Sequence, residues 1–205
     1  MAWDTARTKR LLLEAARAEF SEHGIAGARV DRIAAKAGVN KERIYGYFGN
    51  KEKLFNVVLA AAFVELAEKV RPGEGPVGEY VGRIFDFHRD NPALLRLLMF
   101  EALHYGDSLV EENPSRHERY TDASKALAES RGCSQEEAGC LLVTLIGLGA
   151  WPLAMPQLAR LALGAQPQTD EVMDRLREFV IAFAERGAPR GEKPRPGEGS
   201  CGTPR

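Results

Sequence analysis

The sequence is poor in the residues from which catalytic and metal sites are built. It has three cysteines and four histidines among 205 residues. No CxxC pair occurs and no two histidines are four residues apart, so zinc-site spacing is missing. It also lacks a GxSxG motif, a phosphate-binding loop and a complete GxGxxG fingerprint. We therefore expect no metal, no cofactor and no enzymatic activity, with a motif-free helical enzyme as one alternative.

The alternation of apolar and polar residues that marks a half-buried strand does not persist anywhere in the chain. Internal repeats and long heptads are also missing. Helical spacing recurs instead, and residues 12–20 carry an apolar stripe at Leu12, Ala15, Ala16 and Phe20. The sequence therefore predicts an all-α fold, with a first helix ending at Gly24.

A secretory signal is not predicted, because charged residues interrupt the first ten positions. Residues 138–159 carry no charge and are long enough to cross a bilayer. Pro152 and Pro156 interrupt that segment, however, and no cluster of basic residues flanks it. We predict a helix buried on all sides in a soluble, cytoplasmic protein with reduced thiols and no membrane partner.

Positive charge is concentrated in the N-terminal quarter. The formal net charge is −1, yet residues 1–53 hold 11 Lys and Arg against 7 Asp and Glu, and residues 54–205 hold 17 against 22. A local excess of basic residues is the electrostatic signature of a nucleic-acid-binding region. The N-terminal quarter is therefore the candidate for contact with DNA.

Breaks in the helical pattern predict the domain organisation. Residues 1–53 form a first domain that continues into a linking helix at 51–70, and the sequence RPGEGP at 71–76 interrupts the chain. Residues 71–186 form a second helical domain. From residue 187 to 205, nine of 19 residues are Gly or Pro, so this tail is predicted to be disordered.

The stretch VNKERIYGYFGNKEKL at 39–54 crowds aromatic and basic residues together. Gly38 ends one short helix and Asn40 can cap the next, which is the pattern of a helix-turn-helix. At 100° per residue, Ile44 and Phe48 share a face that can pack on the core. Tyr47 points almost opposite to Ile44 and is expected to lie outside the core.

The exposed side of this second helix has the chemistry of a DNA-reading surface. Lys41 and Arg43 project from its first turn, the part that usually meets base edges. Hydroxyls of Tyr45 and Tyr47 can donate to phosphates, as can Lys51 at the start of the following helix. The alternatives are a small helical core with a solvated charged rim, and a helix-turn-helix protein that acts through protein partners or without a ligand.

Residues 8–60 resemble the DNA-binding domain of the tetracycline-repressor (TetR) family of bacterial transcriptional regulators. The resemblance rests on IAAKAGVNKERIYGYFGNKEKLF and on the preceding LLLEAARAEFSEHGIAGARV. It implies a homodimer that binds operator DNA, more often as a repressor. It also implies base-facing positions at Lys41, Glu42, Arg43 and Gly46, and phosphate-facing positions at Tyr45, Tyr47 and Lys51.

The sequence departs from the family pattern at two places in this region. Ala28-Arg29 stands where relatives often have two threonines, which removes a hydroxyl cap but offers Arg29 as a phosphate contact. Position 46 is often large in relatives, whereas Gly46 has no side chain to contact a base. Gly46 can instead let the backbone approach the DNA closely.

The resemblance also implies that the C-terminal half binds a small molecule and forms the dimer. Bulky apolar residues predict an apolar or aromatic ligand, and the candidate pocket residues are Phe63, Phe85, Met99, Leu103, Trp151 and Met155. The last two apolar helices can form a four-helix bundle between subunits. The candidate interface residues are Leu141, Leu145, Leu148, Phe179 and Phe183.

Overall fold

The computed structural model describes residues 2–108, 114–164 and 169–188. Within these ranges the chain is helical and contains no strand, which confirms the all-α fold. The helices are α1 (Ala2–Gly27), α2 (Val30–Ala37), α3 (Lys41–Phe48), α4 (Lys51–Lys69), α5 (Val77–Asp90), α6 (Pro92–Tyr105), α7 (Pro114–Arg131), α8 (Gln135–Ala154), α9 (Pro156–Leu163) and α10 (Asp170–Gly187).

Local sequence signals set most of the helix boundaries. Asn40 accepts a hydrogen bond from the backbone of Arg43 at the start of α3, and Asn50 does the same for Lys53 at the start of α4. Ser134 forms a capping box at the start of α8, as its sequence predicts. The predicted break at 71–76 separates α4 from α5.

Gly24 breaks the first helix where the sequence predicts its end. Its φ of 67° and ψ of 179° are non-helical, so the regular helix stops there. A short helical segment then continues to Gly27 across the kink, and the whole of Ala2–Gly27 is called α1. Helix α1 packs against α2, α4 and α6, so it joins the N-terminal helices to the rest of the core.

Helix α5 is central to the C-terminal half, where it packs against α8 and α10. The contact with α8 is close, because a Cβ at Gly149 would lie 2.7 Å from Ile84 Cγ2. Arg177 of α10 donates to both carboxylate oxygens of Asp86 on α5, each at 2.7 Å. These contacts hold three helices together, and α7 covers another side of α8.

Helix α8 is long and apolar enough to cross a membrane by length and composition alone. It is buried along one side, against α5 and α7, at Ala138, Leu141, Leu142, Leu145 and Gly149. The expectation that it is buried on all sides is wrong for the single chain, because Val143 is 72% exposed. Helix α8 continues through Pro152, and Pro156 begins the separate helix α9.

The predicted disordered tail lies outside the described residues from residue 189 onward. Gly187 belongs to α10, and Ala188 follows it as the cap. The backbone N–H of Ala188 donates to the carbonyl of Ala184. The first two positions of the predicted tail therefore complete the last helix.

Candidate functional site

Helices α2 and α3 form the predicted helix-turn-helix. Gly38 ends α2 in the left-handed conformation, with φ of 69° and ψ of 32°. The N–H of Val39 donates to the carbonyl of Ala34 at 3.0 Å, which closes the turn. Asn40 then caps α3 directly, so only three residues separate the two helices. This short turn fixes the direction in which α3 leaves α2.

One deeply buried residue anchors α3 to the core. Ile44 is 1% exposed, whereas Phe48 is half-buried at the helix end. Tyr47 is also half-buried and packs against the core, with Lys9 Nζ 5.3 Å from its ring centre. Tyr47 therefore lies at the edge of the core and is less exposed than the sequence predicts, because it packs against the core and Lys9 of α1 lies over its ring.

The four predicted base-facing positions share an exposed surface on α3. Lys41, Glu42, Arg43 and Gly46 are all exposed. A Cβ at Gly46 would meet no described atom within 4 Å apart from its chain neighbours and the backbone of α3 itself, so the backbone there is open to a partner. Lys41 Nζ lies 3.5 Å from Asp31 Oδ1 of α2. That ion pair connects the first turns of α2 and α3.

The four predicted phosphate-facing residues differ in their surroundings. Arg29 is exposed before α2, and Tyr45 is 47% exposed. Lys51 is half-buried, and its Nζ donates to the carbonyl of Ala28 at 3.4 Å. This bond brings the N-terminus of α4 beside that of α2. Helix N-termini attract anions, and two of them lie at the same edge here.

Glu19 of α1 is a functional residue that the sequence does not reveal. Its Oε1 accepts from the backbone N–H of Arg29 at 2.8 Å and from Arg32 Nε at 2.7 Å, so it replaces the missing hydroxyl cap of α2. Burial alone would raise the pKa of Glu19. The hydrogen bonds from Arg32 and Arg29, with the nearby positive charge, outweigh burial and hold that pKa below its usual value.

A cavity of about 350 Å³ lies among α4, α5, α6, α7 and α8. Most of its wall is apolar, including Leu66, Ile84, Leu98 and Leu142. This volume and character are typical of a site for a small organic ligand. The polar residues on its wall are Arg71, Glu74, Tyr80, His88, Arg116, Arg119, Tyr120 and Asp122.

Only one of the six predicted pocket residues, Phe63, lines this cavity. Phe85 is fully buried in the core, whereas Leu103 is 79% and Trp151 is 53% exposed. Met99 and Met155 are half-buried but do not belong to the cavity wall. The assignment of these five residues to this cavity is therefore corrected, because their helices turn other residues toward it.

The five predicted interface residues fall into two groups. Leu141 and Leu145 are 8% and 1% exposed, because α8 packs them into its own subunit, and Leu148 is half-buried. Burial between subunits is not needed to explain Leu141 and Leu145, which corrects their assignment to the interface, whereas Leu148 stays a candidate. Phe179 and Phe183 of α10 are 62% and 50% exposed and stack with ring centres 6.4 Å apart.

Comparison with known protein families matches both halves of the chain. The family described as "Bacterial regulatory proteins, tetR family" matches residues 12–58, and "Tetracyclin repressor-like, C-terminal domain" matches residues 76–186. The chain is 36% identical over 190 residues to the HTH-type transcriptional repressor SCO4008 of Streptomyces coelicolor, covering 90% of this chain and 99% of that protein. It is 37% identical over 107 residues to the repressor NicS of Pseudomonas putida, covering 49% and 50%.

Solved structures have the same arrangement of helices. A transcriptional regulator of Streptomyces coelicolor, SCO4942, superposes with a TM-score of 0.72 at 27% identity, covering 90% of this chain and 99% of that one. A TetR-like regulator of Rhodococcus sp. RHA1 has a TM-score of 0.62 at 22% identity, covering 88% and 94%, and supports the fold alone. The chain therefore belongs to the TetR family of bacterial regulatory proteins and is a DNA-binding transcriptional regulator.

Proposed function

We propose that this chain is a cytoplasmic repressor that binds a palindromic operator as a homodimer and releases it when a small molecule fills the cavity. The observation that carries the proposal is the exposed first turn of α3, held by buried Ile44 and by the Asn40 cap. Two similar proteins, SCO4008 and NicS, are named transcriptional repressors. We assign DNA binding to residues 1–53 and regulation to residues 71–186.

The residues of α3 divide the work of DNA binding. Lys41, Glu42 and Arg43 meet base edges in the major groove, where an arginine can pair with guanine through two hydrogen bonds. Gly46 lets the backbone approach the DNA, because its surface is open. The phosphate contacts come from exposed Arg29 and Tyr45, and from Tyr47 and Lys51 beside them.

Dimerisation in this proposal uses the exposed apolar faces of α8 and α10. Val143, Phe179 and Phe183 are each at least half exposed on the single chain. Exposed bulky apolar residues are typical of an interface, and a two-fold axis that paired α8 and α10 would bring four helices together. Leu148 is half-buried and can add to the interface edge.

Helix α4 is the route by which the cavity can affect DNA binding. It carries Phe63 and Leu66 on the cavity wall and begins at Lys51, beside the N-terminus of α2. Phe63 lies twelve positions after Lys51, which is about 18 Å along a helix. A ligand that favours one tilt of α4 would change the spacing of the two DNA-reading helices and lower operator affinity.

Selection of bound sequences from random double-stranded DNA tests this proposal. The purified protein should enrich a palindrome whose half-sites are about 34–36 Å apart, or a multiple of that distance. The comparison variant is Arg43→Ala. It should keep its affinity for DNA of unrelated sequence but lose the preference for one base pair at one position of each half-site. Enrichment of no sequence, or of sites without two-fold symmetry, would contradict the operator and dimer assignments.

A further inference from the structure

His88 is a buried polar residue on the cavity wall. It lies on α5, is 3% exposed, and its Nδ1 has no hydrogen-bond partner in the described part of the chain. Buried polar atoms are nearly always paired, because leaving one unpaired costs free energy. Because His88 lies on the cavity wall, a polar group of a molecule bound in the cavity is the candidate partner for this imidazole.

Both polar groups that α5 places on this wall are uncharged at neutral pH. Burial lowers the pKa of His88 to about 4, and burial also raises the pKa of Tyr80 well above its usual value. Tyr80, Ile84 and His88 are spaced four residues apart and form one stripe about 12 Å long. The cavity therefore has an apolar wall with a neutral hydrogen-bonding group toward each end.

Most charged groups of the cavity are ion-paired or face solvent, and Arg119 is the half-buried exception. Arg116 Nη1 lies 2.7 Å from Glu101 Oε1, and Arg119 Nη1 donates to the carbonyl of Phe63 at 2.9 Å. The side chains of Glu74 and Asp122 are 66% and 77% exposed. A cation would lose its hydration here, because the buried carboxylate beside the described wall, Glu101, is already paired with Arg116. An anion could pair with half-buried Arg119 only by sharing a guanidinium that the Phe63 carbonyl already holds through Nη1.

We propose that the effector is an uncharged, largely apolar molecule with a hydroxyl group that pairs with His88. A hydroxyl suits either tautomer of the neutral imidazole, because it can donate to a ring nitrogen or accept from it. Ile84 and Leu98 contact the apolar body of the molecule within the cavity. This inference rests on the proposed function, in which the cavity is the effector site.

Four naphthalene derivatives of one shape test the chemistry of the site. Equilibrium dialysis of the full chain at pH 7 would compare naphthalene, 2-naphthol, 2-naphthoate and 2-(aminomethyl)naphthalene, which are apolar, hydroxylated, anionic and cationic. We expect 2-naphthol to bind about fivefold more tightly than naphthalene, the effect of one net hydrogen bond. Both ions should bind more weakly than 2-naphthol.

The variant His88→Phe should remove the preference for 2-naphthol and leave naphthalene binding intact. His88→Leu serves the same purpose if the larger ring disturbs folding. The control is His104→Phe, because His104 is exposed on α6 outside the cavity wall and its loss should change nothing. Tighter binding of either ion, an unchanged preference in both His88 variants, or binding of none of the four probes would overturn the proposal.

Failure of this inference is distinguishable from failure of the proposed function. Probe binding is measured without DNA, whereas release from the selected operator is measured separately with the same 2-naphthol. Binding that depends on His88 without operator release would support the ligand chemistry and contradict control by the cavity. Operator release with equal sensitivity to the anionic or cationic probe would support control and contradict the ligand chemistry.

Discussion

The ring of Phe100 on α6 packs directly on Gly24 of α1. A Cβ at position 24 would lie 2.6 Å from Phe100 Cδ1, closer than packed atoms approach. In the same contact, the Arg96 guanidinium donates to the backbone carbonyls of Ser21 and Glu22. Helix α6 also carries Leu98 on the cavity wall. The interruption of α1 is thus one place where the DNA-binding helices contact a helix that forms the cavity.

Gly24→Ala should destabilise the protein by about 1–3 kcal/mol, because position 24 has a positive φ and no room for a methyl group. The measurement is the urea midpoint without DNA, at fixed protein concentration. Gly46→Ala is the control, since Gly46 lies inside α3 with open space around it and alanine should stabilise by about 0.5–1 kcal/mol. Equal midpoints for the wild type and Gly24→Ala would contradict this account of the contact.

Glu19→Gln should lower the free energy of unfolding by about 1–3 kcal/mol. Glu19 is buried and charged, and it accepts hydrogen bonds from both Arg29 and Arg32. Glu22→Gln is the control: Glu22 lies in the same region of α1, but its side chain is 73% exposed. That variant should stay within about 0.5 kcal/mol of the wild type. Urea unfolding of the three proteins measures the difference, and equal losses in both variants would argue against a specific role for Glu19.

The helix-turn-helix is predictable from sequence because its signals are local. Gly38 and Asn40 act on their own neighbours in the chain, so their roles follow from residue type and spacing. Glu19 is different, because it caps a helix whose N-cap residue, Arg29, lies ten residues later in the chain, after the interruption at Gly24. The missing hydroxyl at position 29 indicates that another acceptor is needed but does not identify it.

The cavity is harder to predict because it depends on which side of each helix faces inward. Leu98 lines the cavity while Met99, the next residue of α6, does not. Leu145 is hard to assign for a related reason. The sequence shows that it is apolar, but not whether α5 of the same chain or a second subunit covers it. Helical periodicity identifies apolar stripes, but only the packed fold assigns each stripe to a neighbour.

Acid should destabilise the protein through His88. The unfolded chain protonates this residue below about pH 6.5, whereas the folded protein does so only near pH 4. Stability is therefore lost as the pH falls from 6.5 to 4, by up to about 3 kcal/mol. His88→Phe should flatten this part of the stability profile, measured by urea unfolding, whereas the exposed His104→Phe should leave it in place. If stability falls with pH equally in His88→Phe and in the wild type, His88 is not a buried, neutral imidazole in the folded protein.

Phe179→Glu should yield a folded monomer. Phe179 is 62% exposed on the single chain, so the substitution spares the core, but it places a charge in the proposed interface. Sedimentation would measure the mass, and circular dichroism would check the helix content. Leu145→Ala is the contrasting variant, because it removes core packing at a cost of about 2–5 kcal/mol without touching the interface. If the Phe179→Glu protein stays dimeric with normal stability, the interface does not include this face of α10.

Arg29→Ala and Arg43→Ala should weaken operator binding in different ways, because one residue is assigned to a phosphate and the other to a base. Arg29 suits this test better than Lys51, whose Nζ also bonds the Ala28 carbonyl inside the protein. Arg29→Ala should lower affinity for all sequences alike and reduce the log–log salt slope by roughly 0.9 per lost contact, or about 1.8 for a dimer. Arg43→Ala should keep that slope nearer the wild-type value. In the wild type, changing the base pair that Arg43 contacts should weaken the binding free energy by about 1–3 kcal/mol, and in Arg43→Ala this loss should disappear. Fluorescence anisotropy over a salt series, on the selected operator and on one with a single substitution in each half-site, separates the two effects. A changed base preference in Arg29→Ala with an intact salt slope would reverse the assignment of these residues.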